Sequence, residues 1–538
     1  MKNGLTAEKA MQIEIVSGSL ASGNCVLKIA SVSKNLKFFT AGRAMATDMP
    51  IKDFGKDITG YNFLGFFSGQ NAALLYHKPP LADFARYTVK KNIISVQSSD
   101  PINLIFSERG ITDLLQKAGE SARIKKLTPP ICGWNSWDAF NAGVYRDGVI
   151  EVMDFARKNK ILRENMEYII IDDGWMTNWG EWSANGKFPG GMKALAGDIK
   201  KSGFKPGLWL APLCAEPVSP LYQYSPECFL KDSKKHPYLG AQGMTRIFYM
   251  LDVSVKKTRT FLKDTFARVR EWGYEYVKLD FLFNQAECLE NPDCSADIKS
   301  WSTNQHIKEM LKIARQELGD STYILGCNYP FELGGNPVNE ARFTGDIATF
   351  RDNTERNYFA LACKYFMLQK WFAGDPDFTI VRVPKATWRS GKFPFHVEVP
   401  WKRNEEESGW RKGAFWNEEE MKMNLAAVIL SGGSVILGDY LPQVNSRGLD
   451  YINKAFYYGR GESAYPLDLG AGKMLPCIWR NNRLLAFFNP FNQPITLPVP
   501  QDIKTGKEIF LNSPLKMQNI KLAPFSCRVY EILGNCRY

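Results

Sequence analysis

Between residues 131 and 445, eight short apolar runs alternate with segments of helical period. The runs are ICGWNSW, YIIIDDGW, PGLWLAPL, YEYVKLDFLF, TYILGCN, ARFTGDI, DPDFTIV and SVILGDY. A run that stays apolar without alternating is a strand buried on both faces, and such strands pair in parallel when helices connect them. The intervening stretches, among them DGVIEVMDFARKNK, TRTFLKDTFARVREWG and RNYFALACKYFMLQKWF, each present an apolar stripe. Eight such units predict a (β/α)8 barrel with its functional site at the carboxyl ends of the strands. A doubly wound open sheet is the competing architecture, but its glycine-rich phosphate turn, GxGxxG, is absent, as is GxxxxGK[ST].

The flanks read differently. From about residue 12 to 125, runs such as MQIEIVSG, NCVLKIASVS and NLKFFTAG alternate polar with apolar between turn residues, which predicts antiparallel sheet. A basic stretch ending in a double proline, SARIKKLTPP (121–130), marks the boundary. Beyond about 465 short alternating strands return and predict a β-sandwich. The expected organisation is an N-terminal β domain over 1–125, a catalytic barrel over 126–460 and a C-terminal β-sandwich over 461–538.

Composition excludes several classes of function. The 538 residues are 45% hydrophobic and 23% charged, as in an ordinary globular chain, and no stretch of about 18 apolar residues spans a membrane. The net charge of +12 is scattered over mixed-sign patches, so nucleic acid is not an expected partner. The amino terminus lacks the apolar run of a secretory leader, leaving a cytoplasmic chain or a mature exported form as the expectations. Four histidines and no paired CxxC motif argue against a metal site, and no cofactor is expected. Cys288 and Cys294 either close a small loop or stand as two free thiols, the simpler reading. β domains flanking a barrel leave oligomerisation open.

Carboxylates at the ends of buried strands need an explanation, and here they recur. Asp172 and Asp173 follow YIII, Asp280 follows YVKL with Lys278 two residues earlier, and Asp346 follows ARFTG with Arg342 four earlier. Each alone is an ordinary helix cap or turn former. In a barrel they converge on one mouth, with Trp134, Trp137, Trp175 and Trp209 nearby. Carboxylates and cations grip vicinal hydroxyls while aromatic rings cover the apolar face of a sugar, so a carbohydrate site is expected. Glycosidic cleavage needs two opposed carboxyl groups and no metal, which Asp280 and Asp346 would supply from different strands.

These segments resemble clan D glycoside hydrolases, the melibiase-type α-galactosidases and α-N-acetylgalactosaminidases of families 27 and 36. GWNSWDAF (133–140), IDDGW (171–175), YVKLDFLF (276–283) and ARFTGDI (341–347) resemble in order the family's first-strand, second-strand, nucleophile and acid/base segments. WFAGDPDF (371–378) resembles a further one usually written with Asn-Asp-Pro-Asp. The resemblance implies a retaining, exo-acting α-galactosidase working by double displacement, with Asp280 as nucleophile and Asp346 as acid/base. It also implies that Asp172 and Asp173 bind hydroxyls 4 and 6, that Lys278 supports hydroxyls 3 and 4, and that Arg342 reaches the 2- or 3-hydroxyl. Trp137 would shape the sugar platform, and Trp209, near the mouth, is a further candidate for the sugar site.

Cys327 and Asn328, in GCNYPFELGGNP (326–337), are candidates for the subsite facing carbon 2. The bulk of Phe331 in that segment favours galactose over N-acetylgalactosamine. The long segments 213–250 and 379–415 are candidate walls of the pocket, with a surface excursion packed on the N-terminal β domain as the alternative for the second. On the same machinery, α-N-acetylgalactosaminidase, β-L-arabinopyranosidase and a raffinose-synthase-like galactosyl transferase are alternatives. A carbohydrate-binding protein on a dead scaffold is disfavoured by the presence of both aspartates.

Overall fold

A computed structural model describes residues 4–7, 11–30, 35–45, 50–241, 247–383, 386–387, 414–471, 474–515 and 518–532. The eight apolar runs form the strands of one parallel sheet: β1 (Cys132–Asn135), β2 (Tyr168–Ile171), β3 (Lys205–Leu210), β4 (Tyr276–Leu279), β5 (Tyr323–Gly326), β6 (Glu340–Arg342), β7 (Ala373–Asp375, continued by Phe378–Thr379) and β8 (Val435–Leu437). Neighbours pair in sequence order, and β8 pairs back to β1. The seventh strand closes the ring in two halves, Ala373–Asp375 bonding to β6 and Phe378–Thr379 to β8. Its interruption falls at Pro376 and Asp377, where a residue with no N–H is followed by a left-handed one (φ 67°). The expected (β/α)8 architecture is thus present.

Helices follow most strands, among them α1 (Arg146–Lys158), α2 (Gly191–Lys201), α3 (Lys256–Trp272), α4 (Leu282–Leu289), α5 (Thr303–Leu318), α6 (Arg351–Lys364), α7 (Glu418–Ser431) and α8 (Ser446–Tyr458). Helix α6 ends at Lys364, short of the periodicity that runs on to Phe372. The residues after it, Phe366 and Trp371, pack instead against Phe63 of the N-terminal sheet, with ring centroids 5.2 and 5.7 Å away. Between β5 and β6 there is only a 3-10 turn, Phe331–Leu333. The N-terminal region occupies that gap: Phe331 N donates to Arg43 O and Leu81 N to Glu332 O, both at 2.8 Å, and Arg43 Nε donates to Glu332 at 2.9 Å.

The N-terminal region is two antiparallel sheets, six strands from Gly4–Ala7 to Ile58–Tyr61 and five from Asn103–Ser107 to Ile51–Asp53. Alternation explains their packing: in Cys25–Ile29 every second residue is buried, and Leu27, Phe38, Leu64, Phe66 and Ile94 fill the space between the sheets. The strand rhythm does not continue to 125. Ile111–Ser121 is a helix whose Ile111, Leu114, Leu115 and Ala118, spaced by three and four, are buried with Phe63 and Leu74 in the core shared with the barrel. At the carboxyl end a five-stranded antiparallel sheet and a two-stranded one enclose Leu485, Phe487, Leu497 and Ile520. That arrangement is the expected sandwich.

Candidate active site

The mouth is built where β2, β3, β4 and β6 end. Asp172 follows β2 and is 2% exposed, so its charge needs partners. It has three. Lys278 Nζ, from β4, donates to Oδ2 at 2.9 Å, Asn135 Nδ2, from β1, donates to the same oxygen at 2.8 Å, and the Asp173 amide donates to Oδ1 at 2.9 Å. Burial pulls the Lys278 ammonium down, but Asp172, aided by Cys327 and Asp280, outweighs it and holds Lys278 charged well above the ordinary lysine range. Asn135 also accepts from the Trp137 amide at 2.8 Å, which fixes the turn that carries Trp137, half-buried at the rim.

Asp173 accepts from the Trp179 indole at 3.0 Å. Trp179 sits in the hairpin after β2, between Met176–Asn178 and Glu181–Ala184, and its ring packs on Trp209 and Phe281 at 5.4 and 5.1 Å. Asp280 follows β4. Its Oδ2 accepts from Trp209 Nε1 at 2.9 Å and its Oδ1 from the Phe281 amide at 2.7 Å. Phe281 has φ 60°, a backbone conformation a bulky residue seldom adopts, and the turn it makes ends β4 at Asp280. Asp280 stays half-buried. Trp209, 2% exposed, meets Asp280 through its N–H edge; its own carbonyl accepts the Trp175 indole at 2.9 Å. Trp134 and Trp175 are fully buried in the barrel.

Arg342, on β6 and 1% exposed, is shared: one guanidinium nitrogen lies 2.8 Å from Asp346 Oδ1 and 2.9 Å from Asp377 Oδ2. Burial opposes its charge, yet Asp377, Cys327 and Asp346 together keep it protonated above the ordinary range. Asp346 projects to solvent at the mouth, its carboxylate 44% exposed. Asp377 Oδ2 also accepts from the Ile347 amide at 2.6 Å, and the Asp377 amide donates to Asp375 at 2.8 Å. The broken strand β7 therefore holds both the guanidinium and the main chain beside Asp346.

Cys327 is buried, with its sulfur 3.8 Å from Arg342 Nη1. Asn328, half-buried and left-handed (φ 52°), donates to Asn284 Oδ1 at 2.8 Å. Phe331 does not face the mouth. It is 2% exposed, stacked on Phe372 at 5.2 Å under the Lys364 ammonium, in the seam with the N-terminal sheets. The expected crowding of an acetamido group therefore loses its residue.

A second ionic cluster ties β7, β8 and β1 together. Buried Arg382 pairs with Asp138 at 2.5 Å and Asp439 at 3.1 Å, and Asp439 also accepts from the Val381 amide. In the segment 213–250, the strands Cys214–Ala215, Leu239–Ala241 and Phe248–Met250 form a small sheet. Phe248 packs 5.3 Å from Trp179, so this wall reaches the mouth. Most of the other candidate wall, residues 384–385 and 388–413, lies outside the described residues. Among the described residues no cluster of His, Cys, Asp and Glu is arranged to hold a metal, no helix is long and apolar enough to cross a membrane, and Cys288 and Cys294 are free thiols.

Asn135, Trp179, Asp375 and Asp377 are the site residues that sequence reasoning missed. Asn135 falls within GWNSWDAF, and Asp375 and Asp377 within WFAGDPDF, but a single amide or carboxylate at the end of a strand has an ordinary structural role.

The Melibiase family model matches residues 98–316, which takes in Asp172, Asp173, Lys278 and Asp280 and stops short of Asp346. The chain is 29% identical over 254 residues to the A type blood alpha-D-galactosamine galactosaminidase of Flavonifractor plautii, covering 43% of this chain and 22% of that protein. It is 23% identical over 224 residues to alpha-galactosidase mel1 of Schizosaccharomyces pombe, covering 40% and 42%. The match spans less than half the length of these relatives. Among solved structures, the α-galactosidase TtGalA of Thermus thermophilus, in complex with stachyose, aligns at TM-score 0.67 and 18% identity over 86% of this chain and all of that one. The family 36 α-galactosidase AgaA of Geobacillus stearothermophilus aligns at TM-score 0.63 and 11% identity over 97% and 82%. These likenesses reach across the N-terminal sheets as well as the barrel. Residues 98–316 are thus similar to the melibiase domain, and the relatives that the chain matches are α-galactosidases and a galactosaminidase.

Proposed function

We propose that the chain is a retaining exo-acting α-galactosidase. The observation that carries this reading is the pair of carboxylates at the ends of β4 and β6, Asp280 held by the Trp209 indole and the Phe281 amide and Asp346 by Arg342. In the first step Asp280 attacks the anomeric carbon while Asp346 protonates the departing glycosidic oxygen, leaving a galactosyl ester on Asp280. In the second, Asp346 takes a proton from water, and that water displaces Asp280 from the same face the leaving group left. The Trp209 N–H and the Phe281 amide fix the carboxylate for attack and stabilise it as it departs in the second step.

Asp172, Asp173 and Lys278 serve the hydroxyls at carbons 3, 4 and 6. Since Lys278 already neutralises Asp172, a hydroxyl entering there exchanges hydrogen bonds without stranding a charge. Arg342 and Cys327, with Asn328, border the carbon-2 side, Trp137 forms the rim, and Trp209 shapes the floor through Asp280. Matches to α-galactosidases, including structures holding stachyose and p-nitrophenyl α-galactoside, support this choice of sugar. A second reading, a galactosaminidase, is favoured by the Flavonifractor plautii match and by the position of Phe331 away from the mouth.

Initial rates on p-nitrophenyl α-galactoside, α-galactosaminide and α-N-acetylgalactosaminide, with the first-formed anomer read by proton NMR, test the proposal. Fast release of α-galactose from the first supports it. Preference for either amino sugar supports the second reading, and β-galactose as first product excludes retention.

A further inference from the structure

A cleft of about 780 Å³ lies where the N-terminal sheets, the basic connector and the β5–β6 segment meet. Its place in the barrel is on the face opposite the mouth: residues 124–126 run toward β1, 335–337 toward β6, and Trp371 precedes β7. Five cations line it, Lys78, Arg123, Lys125, Lys126 and Lys308, and no carboxylate does. Two of the five are already engaged, Arg123 with Glu120 at 2.6 Å and Lys308 with the Leu81 carbonyl at 2.6 Å. Lys78, Lys125 and Lys126 are exposed and make no ion pair among the described residues.

The opposite wall is main chain. Gly335 runs so close to the turn before β7 that a Cβ there would fall 1.4 Å from the Trp371 carbonyl oxygen, and Gly334 faces Pro79 and Pro80. Gly334 is already paired, its N–H with the Phe331 carbonyl and its own carbonyl with the Tyr329 hydroxyl, so the polar group this wall presents is the exposed Asn336 side chain. We propose that this cleft binds an acidic glycan chain, one bearing carboxylate or sulfate groups. The three unpaired lysines meet the anionic groups and the exposed Asn336 meets a hydroxyl. A single-stranded nucleic acid would need an exposed ring to stack on, and the one ring here, Trp371, is 1% exposed with its indole bonded to the Gly119 carbonyl at 3.0 Å. The choice of a glycan as the polyanion rests on the proposed glycosidase reading; the cleft itself does not.

Calorimetric titration of the full chain with a galacturonate oligosaccharide and a chondroitin sulfate oligosaccharide tests the proposal, beside the variant Lys78→Glu/Lys125→Glu/Lys126→Glu. Turnover of an aryl α-galactoside is measured in parallel. The expected result is salt-sensitive binding of one or both acidic glycans, weakened at least about tenfold in the variant, with turnover unchanged. Equal binding of a neutral galacto-oligosaccharide, no binding of either acidic glycan, or tighter binding of a DNA duplex lost in the same variant would overturn it. Loss of α-galactoside turnover in the unaltered chain would instead count against the proposed function, leaving the binding result to be judged alone.

Discussion

The indole N–H of Trp209 donates to Asp280 Oδ2 at 2.9 Å, and Trp209 is itself held because its carbonyl accepts the Trp175 indole at 2.9 Å. A buried ring on β3 thereby fixes the orientation of a carboxylate at the end of β4. Trp209→Phe keeps most of the packing and removes that one donor. Losing a hydrogen bond to a charged group costs about 2 kcal/mol, so kcat should fall roughly 30-fold with KM nearly unchanged. Steady-state kinetics on an aryl α-galactoside give the answer, and a change confined to KM would assign Trp209 to substrate binding alone.

Lys278 and Asp172 form a buried ion pair at 2.9 Å. Lys278→Met leaves the carboxylate buried with only the Asn135 and Asp173 donors, which should destabilise the barrel by about 3 to 5 kcal/mol. Urea unfolding measures this. Asp172→Asn in the same chain should recover part of the loss, because the uncompensated charge is gone, while leaving activity low. Equal stability of the single and double variants would show that the pair does not compensate as argued.

Asp377 holds the Ile347 amide at 2.6 Å and Arg342 at 2.9 Å, both next to Asp346. Asp377→Asn should lower kcat by at least roughly tenfold through misplacement of the acid/base. Restoring the charge with Asp377→Glu should not rescue it, since the longer side chain cannot meet the same amide from a left-handed turn. Full activity in either variant would remove Asp377 from the positioning of Asp346.

Lys364 is completely buried in the seam between α6 and the N-terminal sheets, donating to the Gly42 carbonyl at 2.9 Å. Burial pulls its ammonium down to about 7, against only weak opposition from Cys363 and Glu332. In the unfolded chain it titrates near the usual lysine value of about 10.4. Between those values the unfolded state binds the extra proton, so stability should rise with pH across roughly 7 to 10, by at most about 2 kcal/mol from pH 7 to 9. Urea midpoints at the two pH values, for the native chain and Lys364→Met, test the sign; an identical pH dependence in both would rule out Lys364 as its source.

The barrel was legible because its strands are buried on both faces. A run such as YIII followed by two aspartates has no other economical reading, and the mouth follows from where such runs end. Strand β7 was legible as one run, but its division at Pro376 and Asp377 was not, since only the pairing with β6 on one side and β8 on the other reveals it. The helix at Ile111–Ser121 was hidden inside a stretch of alternating strands, although its buried residues are spaced by three and four. Phe331 was misplaced for a similar reason. Its position after β5 suggested the mouth, whereas the absent helix between β5 and β6 lets the N-terminal sheets draw it into their seam. Trp179 was missed because a tryptophan in a turn says nothing of the carboxylate its N–H reaches.

The central claim is that Asp280 carries the sugar during turnover. The most direct measurement is the mass of proteolytic peptides from Asp346→Ala after incubation with an aryl α-galactoside whose leaving group departs without acid help, so that the intermediate forms but hydrolyses slowly. The account predicts a galactosyl increment on the peptide containing Asp280, lost in Asp346→Ala/Asp280→Asn. Release of the phenol with no adduct, or an adduct on any other carboxylate, would contradict it.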